Sequence, residues 1–144
     1  MRAISACLLG LACRYDGERL APPARYRAAD GEALVPLCPE QLGGLSTPRA
    51  PCEIVGGDGS DVWNGRARVV NSKGCDVTAA YQRGARETYR VCRALGIREM
   101  LLKARSPSCG LGCIYRHGER VVGDGVTAAW LRRHGIAVEV HPDA

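Results

Sequence analysis

The sequence predicts an α/β protein: one three-layer, Rossmann-like domain over residues 1–144, built on a mostly parallel sheet with its site expected at the carboxyl ends of the strands. Three observations predict this class. Short apolar, β-compatible runs alternate with segments of helical period along the chain. Two segments share a pattern, since Asp76-Val77-Thr78-Ala79-Ala80 opens one helix and Val126-Thr127-Ala128-Ala129 opens another, and each helix runs into Gly-Ile and a strand. The chain has 144 residues, 46% of them hydrophobic and 24% charged, which is one domain's length and enough apolar surface for a core.

Each element follows from its residues. Residues 2–7 are apolar and read as a buried strand that ends in a loop at Leu8-Leu9-Gly10. Pro22-Pro23 predicts the start of a short helix over residues 24–29. Residues 33–37 form a second buried strand ending at Cys38-Pro39. Residues 41–65 are rich in Gly, Pro, Ser and Asp without a period, which predicts a long functional loop. Residues 66–70 suit an outer strand. Val77, Tyr81, Gly84, Thr88, Val91 and Leu95 step by three or four, so residues 77–95 are the strongest helix. Asp76 is its expected N-cap and Gly96 its stop. Residues 97–104 follow as a strand. A second helix over 126–134 has Asp124 just ahead and Gly135 just behind, and residues 136–140 form the last strand.

Composition excludes several function classes. The net charge is +5, and nearly all of the 20 basic residues are Arg, with Lys only at positions 73 and 103. These Arg residues are scattered rather than in blocks, as on solvated helix faces. Phe is absent and aromatics total 5%, which argues against a stacking surface for single-stranded nucleic acid. No apolar run is long enough to cross a membrane. The N-terminus lacks the pattern of a secretory signal, so a cytoplasmic location is expected.

Eight cysteines are the outlier. In a reducing compartment they point to metal ligation or catalysis for some and to packing for others. Cys7, Cys38 and Cys109 each fall at the end of a predicted strand, and in a parallel sheet strand ends share one edge where ligands bind. Three thiolates there suit a zinc ion or an iron–sulfur cluster, or are inert buried thiols. No C-x-x-C pair exists, against a zinc ribbon or a thioredoxin-like motif. Cys92 reads as core, Cys52 and Cys75 as structural, and Cys13 and Cys113 as extra ligands or bystanders. His117, His134 and His141 are late and scattered, which supports no catalytic His.

Long motifs carry a resemblance. Ser5-Ala6-Cys7-Leu8-Leu9-Gly10, Arg14-Tyr15-Asp16-Gly17, the block from Cys38-Pro39-Glu40 to Pro48-Arg49, Gly74-Cys75-Asp76-Val77-Thr78, Lys103-Ala104-Arg105-Ser106-Pro107-Ser108-Cys109-Gly110 and Gly123-Asp124-Gly125-Val126-Thr127 together resemble a bacterial family, long known only as a domain of unknown function, that includes the TudS-type thiouracil desulfidases. The resemblance covers nearly the whole chain in order. It implies a [4Fe–4S] cluster held by Cys7, Cys38 and Cys109 with one iron left open. That iron would take sulfur from a thiolated pyrimidine while water replaces it on the ring. The resemblance also implies an acid–base role for Glu40 and a catalytic role for Ser106.

Chemistry adds partners. Replacing C=S by C=O needs a thiophile, water and a proton shuttle but no net electrons. Glu40, two residues after a candidate ligand, is placed to move protons. Arg14, Arg49 and Ser108 are the candidate substrate contacts, a guanidinium suiting a phosphate or ring oxygen. The expected partner is a small thiolated pyrimidine or its nucleotide. Thiouridine in transfer RNA is the less favoured substrate, because no residues are left over for a module that grips folded RNA. A non-catalytic metal or cluster protein with four closing cysteines is the rival of a different class.

Overall fold

In the computed structural model, which describes residues 1–141, four strands pair in parallel around the N-terminal one. β1 (Arg2–Ser5) lies between β2 (Leu34–Leu37) and β5 (Glu99–Leu102), and β8 (Ala137–Val140) closes the far edge. Registers place Ser5 opposite Leu37, Ile4 opposite Leu101 and Leu102 opposite Val140. The predicted α/β class and parallel sheet are therefore what the chain forms.

The alternation of each strand fills two cores. Ala3, Leu37, Met100 and Leu102 face the helix layer, meeting Cys92 of α3 (Thr78–Leu95) and Ala128 and Leu131 of α4 (Val126–Arg133). Ile4 and Leu101 face the other way and pack on Leu8, Leu20 and Tyr26. That third layer is irregular chain. The helix expected over residues 24–29 is absent, because a segment this short lacks the hydrogen bonds to offset nucleation unless a cap or a distant packing partner holds it. Pro22 and Pro23 form a turn instead, and the Tyr26 N–H is tied to Leu8 O at 2.8 Å.

The stretch expected to be a long loop holds structure. α1 (Pro39–Leu42) starts directly after Cys38, β3 (Cys52–Val55) pairs antiparallel with β4 (Arg68–Asn71), and α2 (Gly59–Trp63) sits between them. A reciprocal capping box starts α2: the Asp61 N–H donates to Asp58 at 3.2 Å, and the Asp58 N–H donates back to Asp61 at 2.9 Å. Trp63 then stacks on Trp130 of α4 with ring centroids 4.0 Å apart, and its indole N–H donates to Val126 O at 2.8 Å. A second hairpin, β6 (Cys113–Arg116) with β7 (Glu119–Val122), has no counterpart in the sequence reading.

Two expected caps move by one step. Val77 rather than Asp76 is the N-cap of α3, although the Asp76 carboxylate still accepts the Thr78 N–H at 2.9 Å. Gly125 rather than Asp124 precedes α4, and Asp124 instead accepts the Gly112 N–H at 2.7 Å and pairs with Arg132 at 3.0 Å. Gly96 ends α3 as expected, in the left-handed conformation at φ 68°.

One contact positions the site. α1 crosses α3 at two glycines: a Cβ on Gly84 would stand 2.0 Å from Pro39 O, and one on Gly43 2.0 Å from Ala80 O. Only glycine lets the two backbones approach this closely. No described helix is long and apolar enough to cross a membrane.

Candidate active site

Beyond the carboxyl ends of β1, β2 and β5 lies a cavity of about 300 Å³. Cys7, Cys38 and Cys109 all line it, together with Cys13, Glu40, Arg14, Arg49 and Ser106. Each enters by a local device. Cys7 sits in a single 3-10 turn, residues Ala6–Leu9, that ends at Gly10, whose N–H returns to Cys7 O at 3.0 Å. Cys38 is the N-cap of α1, with Pro39 at the first helical position. Cys109 is wrapped by a turn in which Ser106 Oγ accepts the N–H groups of Ser108 at 3.1 Å and of Cys109 at 2.6 Å.

The loop carrying Cys109 is anchored from below by α4. The first N–H groups of that helix have no partner within it. Val126 and Thr127 spend theirs on Pro107 O and Ser108 O, each at 2.8 Å. Ser108 belongs to this anchor. It is buried, and its hydroxyl shares a 2.8 Å hydrogen bond with Thr127 while accepting the Cys109 thiol at 3.7 Å. It is not among the residues that line the cavity. Just upstream, Arg105 takes a left-handed backbone at φ 65°, a strained conformation for a non-glycine residue, and this turns the chain from β5 into the loop.

Cys13 links two of the thiols. The Cys38 thiol touches Cys13, at 3.7 Å from its carbonyl oxygen, and the Cys13 thiol also meets Cys7. Contact with Cys13 and burial, helped by the Glu40 charge, push the Cys38 thiol well up. Burial and then the Glu40 charge push Cys109 up to about 12. Cys13 is pulled down by its contact with Cys38, but contact with Cys7 and burial win and bring it to about 11. Without a bound cation these are protonated thiols, so ligation would release protons.

The donor set fits a polynuclear iron–sulfur group better than a lone ion. All the candidate donors at the strand ends are soft sulfur atoms. Among the described residues no three donors of Cys, His, Asp or Glu are grouped tightly enough for a single metal ion. Cys7, Cys13, Cys38 and Cys109 all line the one cavity.

The remaining residues divide by depth. Glu40 and Arg49 form an ion pair at 3.4 Å, with side chains 14% and 8% exposed. The Arg49 guanidinium also donates to Cys13 O at 3.1 Å, Thr47 Oγ1 at 3.2 Å and Ser46 O at 3.3 Å. It is thus filled by protein acceptors, unlike the free phosphate partner the sequence suggested. Arg14 lies nearer the mouth with Asp16 at 3.7 Å and Tyr15 beside it. Several lining residues were given no role in the site from the sequence, Tyr81, Cys52 and Lys103 among them. These three resemble an ordinary helix-core aromatic, an incidental loop thiol and a strand-end lysine, and no spacing signal marks them. Cys92 and Cys75 lie elsewhere, one in the core and one exposed.

Comparison with known proteins follows from this geometry. Residues 3–143 match the model of a family described as 2-thiouracil desulfurase. An uncharacterised protein of Bacillus subtilis strain 168, YbbK, is 44% identical over 141 residues, covering 96% of this chain and 93% of its own length. A solved structure described as the [4Fe–4S]-dependent thiouracil desulfidase TudS superposes with a TM-score of 0.81 at 42% identity, covering 96% of this chain and 89% of that one.

Proposed function

From the premise that this chain belongs to the 2-thiouracil desulfurase family, we propose that it is a [4Fe–4S]-dependent desulfidase that exchanges the sulfur of thiouracil, or of its nucleotide, for oxygen. The observation that carries the reading is the meeting of three strand-end thiols with the Glu40–Arg49 pair and Ser106 in one cavity.

Cys7, Cys38 and Cys109 would hold the cluster. Bound there, the cluster would supply a Lewis acid with high affinity for sulfur. Cys13 stands beside the ligands as a fourth thiol and is assigned no bond to iron. The rest of the chemistry falls to this chain's side chains. Glu40 takes a proton from the water that attacks the thiocarbonyl carbon and returns it to the departing sulfide. The C=S bond breaks, a C=O bond forms, and water in gives hydrosulfide and a proton out, so no electron is consumed. Arg49 fixes the orientation of Glu40 rather than contacting substrate. Ser106 Oγ already accepts two N–H groups, so its O–H is left to orient water or ring. The apolar walls limit competing water, and Arg14 at the mouth is placed for an anionic substituent.

The test is anaerobic loading with iron and sulfide, then incubation with 2- and 4-thiouracil and their nucleotides without reductant. Hydrosulfide and the oxo base should appear in equal amounts. Glu40→Gln should keep its iron and lose on the order of 10²–10⁴-fold in rate. An absolute need for a reductant in every turnover, or no sulfide from any of these compounds, overturns the reading.

A further inference from the structure

Tyr81 stands in the cavity wall without a role in the chemistry above. It lies in the first turn of α3, is 3% exposed, and its hydroxyl meets the thiol of Cys52 across the cavity lining. A buried tyrosine hydroxyl normally finds an oxygen or nitrogen partner, and a thiol is a weak acceptor. The O–H is therefore a strong donor held against a weak acceptor.

The other side-chain donors of the lining are charged, exposed or, in Ser106, already assigned to the reaction above. Arg49 is filled by Glu40 and by protein oxygens. The Lys103 ammonium donates to Ala104 O at 3.1 Å. Tyr15 and Tyr115 are largely exposed at the mouth. Burial, with the Glu40 charge behind it, holds the Tyr81 phenol well above its ordinary value, so it is an O–H donor at any working pH.

A thiouracil presents two exocyclic acceptors, one sulfur and one oxygen. With the sulfur turned to the cysteines, the oxygen needs a neutral donor on the remaining wall. We propose that Tyr81 is a specificity-determining residue, whose O–H donates to the oxygen that stays on the pyrimidine ring. This rests on the desulfidase reading above. A site built around such a donor discriminates against a ring that lacks the matching oxygen, because the buried donor is then left unpaired.

The experiment compares 4-thiouracil with pyrimidine-4-thione, which lacks the second exocyclic oxygen, in the cluster-loaded protein. The wild type should favour 4-thiouracil in kcat/KM by on the order of 10- to 100-fold. Tyr81→Phe keeps the ring in place and should lose that preference by slowing only the oxygen-bearing substrate. Cys52→Ala removes the thiol contact but leaves the O–H, and should retain the preference. Calorimetric binding of uracil should weaken about tenfold in Tyr81→Phe and hold in Cys52→Ala. Equal slowing of both substrates in Tyr81→Phe, or an unchanged ratio and unchanged uracil affinity, overturns the assignment. A wild type that desulfurates neither ring overturns the desulfidase reading instead, and uracil binding still reports on Tyr81.

Discussion

Replacing Gly84 by Ala tests whether the close crossing of α1 on α3 is essential. At an unobstructed position within a helix, this change stabilises by about 1 kcal/mol, since Ala has the better helix propensity. Here the added methyl would stand 2.0 Å from Pro39 O, 2.8 Å from Pro39 C and 3.3 Å from Gly43 N. The first distance is about 1.5 Å short of ordinary van der Waals separation. The obstruction is backbone, which has no rotamer to escape into, so the cost belongs near the top of the about 1–3 kcal/mol typical of overpacking. Subtracting the propensity gain leaves a net loss of about 2 kcal/mol. Urea unfolding of wild type and Gly84→Ala, monitored by far-ultraviolet circular dichroism, reads this directly as a lower midpoint at unchanged slope. Cys38 caps α1, which carries Glu40, so the iron content after loading should fall with it. A variant that is more stable than wild type by about 1 kcal/mol would refute the argument.

Three further outcomes are expected. Cys7→Ala, Cys38→Ala and Cys109→Ala should each abolish uptake of iron and sulfide, whereas Cys92→Ala and Cys13→Ala should load normally, as read by iron and acid-labile sulfide analysis. Glu32 is held below the usual glutamate range by the Ala29 N–H and by Arg2, with Tyr26 adding a hydrogen bond; a depressed carboxylate stabilises the fold above its unfolded value, and that contribution is lost as pH falls from about 4.3 through the folded value. Glu32→Gln should therefore flatten the acid limb of a Tm-against-pH curve, and an unaltered limb would count against it. Desulfuration of a small thiopyrimidine should outpace that of thiolated transfer RNA, with shallow salt dependence, and a transfer-RNA advantage that collapses as salt rises would reverse this.

What could be read in the sequence is what local pattern encodes. β1, β2, β5 and β8 are short, mainly apolar runs, and α3 and α4 carry a clear helical period, so these elements appear with boundaries shifted by a residue or two. α1 and α2 are four and five residues long, too short for a period, and are held by Gly84 and by the Trp63–Trp130 stack from distant parts of the chain. The β6–β7 hairpin is likewise fixed by partners far away, with Ile114 and Val121 covering the same core as Trp63. The expected ligand cysteines were legible because their signal is position at strand ends. Tyr81 was not, because on a helix its spacing is that of any core residue and only the facing cavity marks it. Ser108 sits in a motif whose neighbours line the cavity, while its own hydroxyl serves the anchor to Thr127.

The three strand-end thiols are far apart in the sequence, at positions 7, 38 and 109. No pair of them is adjacent enough to chelate a metal in a nascent or partly unfolded chain. Sites of the C-x-x-C kind capture metal first and fold around it, but here β1, β2 and β5 must already be side by side. Under the ligation proposed above, loading would wait on completion of the sheet. On that ligation the protein without its cluster would be a folded receptor, and the cavity rather than the unfolded chain would take up the group.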